Sequence, residues 1–386
     1  MQQREIAIIG AGIGGLTLAL ALRQRGFAPI VYERAPALGE VGAGLTLWPN
    51  ATKVLASLGL AEELERIGEE PIHQMIRNGE TGEVLRTFER KSMMRPTYGA
   101  PLLQIHRRDL HDMLVRALEA QAPGSVKLNC ELIGIEPDAA RPTALFADGA
   151  RVEADIIVGC DGIRSRVRTE LFGMESPRFT QIVAWRGLVP MADLDESFRA
   201  EPVGIHIGEG CHVAHYPVRQ GSTLNFLGFA VVDGWAEEGW VIPSSLDEMM
   251  DRFGHFHPSV TTAMAATPAG GLFKWGLFDR DVREQWSVGA ITLLGDAAHP
   301  MLPFLGQGAG MVIEDAIVLA RLLEAQDDTL AALARYEELR RPRTAYTMLK
   351  GRAHAHYYNT RAEEADESTL AMEVDLNEYD AVSMAL

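Results

Sequence analysis

Four clusters of residues in this chain have the types and spacing that ligand binding or proton chemistry requires. The first is Gly10-Ala11-Gly12-Ile13-Gly14-Gly15, a GxGxxG spacing. Its first glycine permits a tight turn, its second lets backbone approach a pyrophosphate, and its third lets a helix pack closely on a strand. A helix opening at that turn also aims unpaired N–H groups at the phosphates. Farther on, Glu33 is placed to accept hydrogen bonds from a ribose diol. An acid there suits an unphosphorylated ribose, as in FAD or NAD, rather than NADP. Taken alone, the run is also compatible with a structural glycine turn that binds no nucleotide.

The second and third clusters are Gly159-Cys160-Asp161-Gly162-Ile163-Arg164-Ser165-Arg166-Val167-Arg168 and Gly295-Asp296-Ala297-Ala298-His299-Pro300. Each follows an apolar strand, and in open α/β sheets ligands bind beyond the carboxyl ends of the strands. Asp296 is suited to a ribitol or ribose hydroxyl. Asp161 is equally suited to a turn or helix cap. The fourth cluster is Cys211-His212-Val213-Ala214-His215-Tyr216-Pro217-Val218-Arg219. Strand alternation puts Cys211, Val213 and His215 on one face and His212, Ala214 and Tyr216 on the other. Either histidine is a candidate base, and either is also compatible with a half-buried structural role.

The elements that hold these clusters follow from the apolar patterning. Glu5 to Gly10 reads as a strand, Gly14 to Arg25 as a helix and Ala28 to Glu33 as a second strand, the opening of a parallel α/β sheet. Asp148-Gly149 between apolar runs predicts a hairpin with a type I′ turn. Ile156 to Gly159 and Ile291 to Leu294 read as buried strands, and Gly308 to Leu323 as a helix. Between Phe179 and Trp275 the texture is β-rich, with Trp185, Tyr216, Phe226, Phe229, Trp235 and Trp240, which predicts an inserted second domain. A helical stretch from Ala331 to Tyr357 leads to an acidic tail containing Glu363, Glu364, Asp366, Glu367, Glu373, Asp375, Glu378 and Asp380, expected to be solvated or packed on a partner.

With 386 residues and 47% hydrophobic content the chain can build a large core in about two domains. A net charge of -17 argues against a nucleic-acid partner, which needs clustered Lys and Arg. It also means that any carboxylate ligand must meet local positive charge. Cys130, Cys160 and Cys211 show no metal-ligand or redox-pair spacing, so free thiols in a reducing cytoplasm and no metal site are expected. The uncharged run Ile6 to Leu22 is short for a membrane span and broken by glycines, so no span is expected.

Four segments in order carry a family resemblance: GAGIGG with Glu33-Arg34, His106-Arg107-Arg108-Asp109-Leu110-His111, CDGIRSRVR, and GDAAHPMLPFLGQGAGMVIEDA. From Ile6 to about Arg343 the chain resembles the class A flavoprotein aromatic hydroxylases, the p-hydroxybenzoate hydroxylase group, most closely its salicylate and 3-hydroxybenzoate hydroxylase branch. The resemblance implies a Rossmann-like FAD-binding domain from residues 1–70, 101–178 and 276–345, and an inserted β-rich substrate domain from 71–100 and 179–275. Residues 346–386 would form a C-terminal helix and acidic tail. It implies FAD contacts from Gly10, Gly12, Gly14, Gly15, Glu33 and Arg34, from Arg107 at the pyrophosphate, from Asp296 at the ribitol, and from Asp161. Arg107 is also compatible with an ordinary salt bridge. Gly306, Gln307, Gly308 and Ala309 would bring a helix N-terminus to the flavin, where it favours the negative charge of the reduced ring. The chain departs from the family pattern at Gly310, where Asn or Met is common.

By the same resemblance His212 is the candidate base for a phenol proton and Tyr216 an orienting hydrogen bonder, with His215 a weaker candidate. Pro300 and Pro303 would wall the reactive flavin edge. From its own residues Trp185-Arg186-Gly187 reads as a packing and strand-pairing segment, with Arg186 facing the cofactor side as the alternative. The implied reaction takes NAD(P)H, O2 and a small aromatic substrate, and no second nucleotide fingerprint is present for NAD(P)H, as in that family. The C-terminal stretch is a candidate homodimer surface. Alternatives are the same chemistry on a hydroxynicotinate, a larger phenol or a natural-product intermediate, an NAD-dependent dehydrogenase, or a flavin-binding module without turnover.

Overall fold

The computed structural model describes residues 4–39, 42–137, 141–234, 242–359 and 373–386. Trp235, Trp240 and the acids from Glu363 to Glu367 lie outside the described residues. The predicted first unit forms as strand Ile6–Ile9, helix Ile13–Gln24 and strand Ile30–Tyr32. The first strand is buried at all four positions because it is the inner strand of a parallel sheet and is covered on both faces. The sheet runs Ser287–Val288, Ile291–Leu293, Ile156–Gly159, Ile6–Ile9, Ile30–Tyr32, Val126–Lys127. All its pairs are parallel except the first, at the edge.

Glycine spacing decides how tightly the first helix seats. A Cβ on Gly15 would stand 2.0 Å from the Gly10 carbonyl oxygen, so only glycine lets helix and strand meet there. Gly10 has φ +106°, and a Cβ on it would strike the Cys160 carbonyl oxygen at 2.6 Å. On the other side the helix packs on Gly308–Ala325, where a Cβ on Gly14 would lie 2.5 Å from Val312 Cγ1.

The Asp148-Gly149 hairpin is present between Thr143–Phe146 and Arg151–Glu153, but its turn is not type I′. Only Gly149 has positive φ, and its N–H donates to Phe146 O, which makes a type I turn closed by a left-handed glycine. Asp148 instead accepts the Ala150 N–H at 2.9 Å.

The β-rich stretch builds most of a second, eight-stranded sheet. Its order is Ile242–Pro243, Phe273–Asp279, Arg178–Pro190, Thr223–Val231, Cys211–Val218, Gly204–Gly208, His73–Asn78, Val84–Glu89. One face buries Trp185, Val213, Phe226 and Cys211 under two helices, Leu246–Phe253 and Pro258–Ala265, which the β-rich texture concealed. The other face looks toward the nucleotide-binding sheet. A helix from Thr329 to Asn359 runs past both sheets.

The chain's end differs from the expected solvated or partner-packed tail. Leu376, Asn377 and Ala381 are buried, and Tyr379, Val382, Met384 and Leu386 pack on the first core. Arg321 donates to the carbonyls of Ala381 and Met384, each at 2.8 Å, so the apolar residues between the acids govern the packing. The three cysteines are free thiols. Among the described residues no helix is long and apolar enough to cross a membrane, and no cluster of ligands for a metal ion is present.

Candidate active site

Two cavities meet at the carboxyl ends of the parallel strands. One, of about 640 Å³, is bordered by Gly10, Gly12, Glu33, Arg34, Arg107 and Asp161. The other, of about 480 Å³, lies between the two sheets and is bordered by Asp296, Gly308, Ala309, His212, Tyr216 and Phe304. Gly12, Arg107, Cys160 and Gly162 border both. The combined space suits an extended dinucleotide, with its adenosine end in the first cavity and its ring end in the second.

Individual residues fit that group. A Cβ placed on Gly12 would meet nothing within 4 Å, so the protein leaves open the place where a pyrophosphate would approach. Glu33 is fixed by accepting the Ala11 N–H at 2.8 Å and the Ala35 N–H at 2.9 Å. Arg107 opens the helix Arg107–Gln121, and its backbone N–H donates to Ala43 O at 2.8 Å. The accessible surface of Asp296 faces the cavity. Enclosure by protein pushes its carboxyl pKa up, and the charges of His299 and Arg107 offset part of that rise.

Gly306, at φ +61°, turns the chain so that Gly308 and Ala309 present the first turn of Gly308–Ala325 to the cavity. Gln307 acts differently from its neighbours. Its side chain is buried and its Oε1 accepts from Asn50 Nδ2 at 3.0 Å, so only its backbone is available to a ring. A Cβ on Gly310 would lie 2.8 Å from that Oε1, which explains why glycine stands where the resembled family commonly has a side chain.

Asp161 borders the cofactor cavity, but its carboxylate is committed to its own loop. It accepts from Ser165 Oγ at 2.5 Å and from the N–H groups of Arg166 at 2.6 Å and Val167 at 3.0 Å. Burial raises its pKa despite these bonds. Its geometry is the turn-and-cap alternative. Pro303 borders the cavity between the sheets and begins the short turn Pro303–Leu305, which brings Phe304 to the cavity wall beside His212.

The two faces of Cys211–Val218 separate as alternation predicts. His212 stacks on Phe229 with ring centroids 4.7 Å apart at 18°, and lies 5.5 Å from Phe304. Tyr216 lies on the same face and shares a hydrogen bond with Thr46. Burial raises its phenol pKa. His215 turns its ring the other way, 4.9 Å from Phe198 and 5.2 Å from His206, with Nδ1–H donating to Pro202 O at 2.9 Å. Burial pushes His215 down to about 4, which keeps it neutral and structural in character.

Several residues at the site carried no recognisable sequence signal. Arg90 lies over the rings of Trp48 and Phe88, and its Nε donates to Gln74 Oε1 at 3.0 Å. His354, from the long last helix, also borders the cavity. Behind the Gly308 turn is a fully buried ionic cluster. Asp315 lies 2.5 Å from His299 Nε2 and 2.7 Å from Arg340, while Glu314 lies 2.7 Å from Arg340 and from Arg343 and accepts from Asn50 at 2.6 Å. Two adjacent acids inside an otherwise apolar helix, facing arginines three apart on another, are a signal that periodicity alone does not decode.

The family described as FAD binding domain matches residues 3–349. The chain is 39% identical over 356 residues to the 3-amino-4-hydroxybenzoate 2-monooxygenase PtnB3 of Streptomyces platensis, covering 92% of this chain and 88% of that protein. It is 36% identical over 341 residues to 3-hydroxybenzoate 6-hydroxylase 1 of Aquipseudomonas alcaligenes, covering 88% and 86%. A salicylate hydroxylase substrate complex superposes with a TM-score of 0.83 at 27% identity, over 98% of this chain and 96% of that one. The chain belongs to this FAD-binding family, and within it to the class A flavin monooxygenases, enzymes that use FAD to hydroxylate aromatic compounds.

Proposed function

We propose that this chain hydroxylates a small phenolic aromatic acid of the salicylate or 3-hydroxybenzoate type. The observation that carries the reading is His212 and Tyr216 on one face of a strand, in an aromatic cavity that also exposes Asp296 and the Gly308 turn. The relatives' named substrates, 3-hydroxybenzoate and 3-amino-4-hydroxybenzoate, are of this class and support it. Bound FAD would supply hydride acceptance from NAD(P)H and activation of O2. One oxygen atom enters the ring and the other leaves as water.

The protein's own part is binding, orientation and proton handling. Glu33, Arg34 and the Gly10–Gly15 turn hold the adenosine and pyrophosphate end, with Arg107 and Asp296 nearer the ring. His212 accepts the phenol proton, which enriches the ring carbons ortho and para to the oxygen. Tyr216 fixes the ring by a hydrogen bond. Phe229, Phe304 and Pro303 exclude water, which would otherwise divert reducing power to H2O2. If the attacked carbon bears the carboxylate, CO2 is released. The reading includes a cytoplasmic location, supported by the free thiols, and a homodimer, which light scattering on purified protein checks.

The test is NADH and NADPH oxidation by the yellow protein with salicylate, 3-hydroxybenzoate, 4-hydroxybenzoate and 6-hydroxynicotinate, with H2O2 assayed in parallel. One acid that accelerates oxidation with little peroxide establishes the substrate. Peroxide alone with every acid rejects the proposal that these acids are hydroxylated.

A further inference from the structure

The short strand Gly44–Leu47 forms a wall of the cavity between the sheets, which Gly44, Leu45 and Thr46 all border. On one side it pairs with Leu103–His106, and the next residue, Arg107, donates its backbone N–H to Ala43 O at 2.8 Å. On the other side it meets the eight-stranded sheet. The Gly44 N–H donates to Asn225 Oδ1 at 2.8 Å, and Thr46 shares a hydrogen bond with Tyr216. Asn225 and Tyr216 are cross-strand partners in register, on the face that also carries His212.

The approach is too close for any residue but glycine. A Cβ on Gly44 would lie 2.6 Å from Tyr216 Cε2 and 2.7 Å from Asn225 Cγ. Asn225 is buried behind this wall at 1% exposure, and its Nδ2 finds no acceptor among the described residues. A buried donor left without a partner is a loss that an apolar side chain would avoid. Its neighbours on the same face, Leu188 across the strand and Leu227 two residues on, are apolar, and leucine would fill the position as well. What leucine cannot do is accept the Gly44 N–H.

We infer that Asn225 is a positioning residue, tying the sheet face where the aromatic ring rests to the strand that walls the cavity where the flavin ring enters. This rests on the function proposed above. Asn225 acts through Gly44 and touches neither ring. Asn225 and Tyr216 hold Gly44 and Thr46, two positions apart on one strand, so the face and the wall keep a single register. Oxygen transfer needs that register, because reacting atoms must stand about 3–3.5 Å apart and a shift on the order of 1 Å costs about 100-fold. Loosening the joint leaves both ligands bound but misaligned. NAD(P)H and O2 are then converted to NAD(P)+ and H2O2 with no oxygen entering the ring.

The experiment compares wild type, Asn225→Leu and Asn225→Asp as holoenzymes. Oxidised protein is titrated with 3-hydroxybenzoate and with salicylate while the flavin spectrum is followed, and H2O2 formed per NAD(P)H consumed and the melting temperature are measured alongside. Asn225→Leu should keep its FAD, its melting temperature to within about 3 °C and its acid dissociation constant to within about threefold. The flavin spectral change on acid binding should fall by about half or more, and the H2O2 fraction should rise about fivefold or more. Asn225→Asp, which keeps an acceptor at the same reach, should recover part of both. Wild-type spectral change and coupling in Asn225→Leu overturn the inference and leave the hydroxylase reading intact. So does a loss that falls in step with melting temperature and FAD content and is not recovered in Asn225→Asp, which marks a merely structural role. A wild type that hydroxylates neither acid and yields only H2O2 overturns both readings.

Discussion

Alanine at Gly12 and at Gly14 should have opposite consequences, although the two glycines are neighbours in one motif. Gly12 has φ -73° and open space around its Cβ position, so Gly12→Ala should fold with unchanged stability and lose FAD affinity, measured by flavin retention on dialysis. Gly14→Ala drives a methyl into Val312 and Leu294, and should lower unfolding free energy by about 1–3 kcal/mol in the apoprotein. Equal loss of stability in both variants would contradict this division. His212→Ala should keep its FAD and lower hydroxylation by about 100-fold or more, with NAD(P)H oxidation diverted to peroxide. Unchanged turnover and coupling in that variant would remove His212 from proton transfer.

At the scale of elements, the helix Gly308–Ala325, whose first turn borders the cavity between the sheets, is held from behind by ionic contacts. Burial alone would raise the pKa of Glu314 and Asp315, but the charges of Arg343 and Arg340 on Glu314, and of His299 and Arg340 on Asp315, outweigh it and leave both below the usual range. Arg340→Met takes one of two cations from each buried carboxylate, leaving Glu314 with Arg343 and Asp315 with His299, and should cost up to about 3 kcal/mol in denaturant unfolding. The last segment supports the same joint, since Arg343 donates to Leu376 O at 2.8 Å and lies 3.9 Å from the Tyr379 ring centroid. Removing residues 373–386 should therefore lower the melting temperature and loosen FAD, even though the segment lies outside the cavity. A truncated chain with wild-type melting and FAD retention would show that the joint stands without it.

For the whole molecule, acid sensitivity should appear well above the carboxylate range. Burial lowers His206 from 6.5 to about 2 and His215 from 6.5 to about 4, so both stay neutral in the folded state. The unfolded chain binds these protons first. Stability is fully present above pH 6.5 and falls as pH drops toward 4, by on the order of 3 kcal/mol per histidine. Glu314 and Asp315 add their own loss only at lower pH, where the unfolded carboxylates protonate. Melting temperature measured from pH 7 to 4 should show the decline, and replacing both histidines with Gln should flatten it. A flat wild-type profile over that window would contradict their buried neutral state.

Residue order alone determined the dinucleotide turn, the strands that carry Asp161 and Asp296, and the face shared by His212 and Tyr216. Each depends on local periodicity or on backbone freedom within a few residues. The type of the Asp148-Gly149 turn escaped it because the choice between turn types rests on one φ angle. The helix Leu246–Phe253 does carry a local signal, with Leu246, Met249, Met250 and Phe253 at helical spacing behind the Ser245 cap. It is short and set among aromatic, strand-like segments, whereas the packing of the C-terminal segment rests on contacts with distant chain. Only the tertiary structure decided that Gln307 turns to Asn50, that Asp161 is held by its own loop, that Glu314 and Asp315 meet Arg340, and that Asn225 reaches Gly44. Those relations join residues far apart in the chain, and sheet register and helix packing, which no short window contains, determine whether their side chains meet.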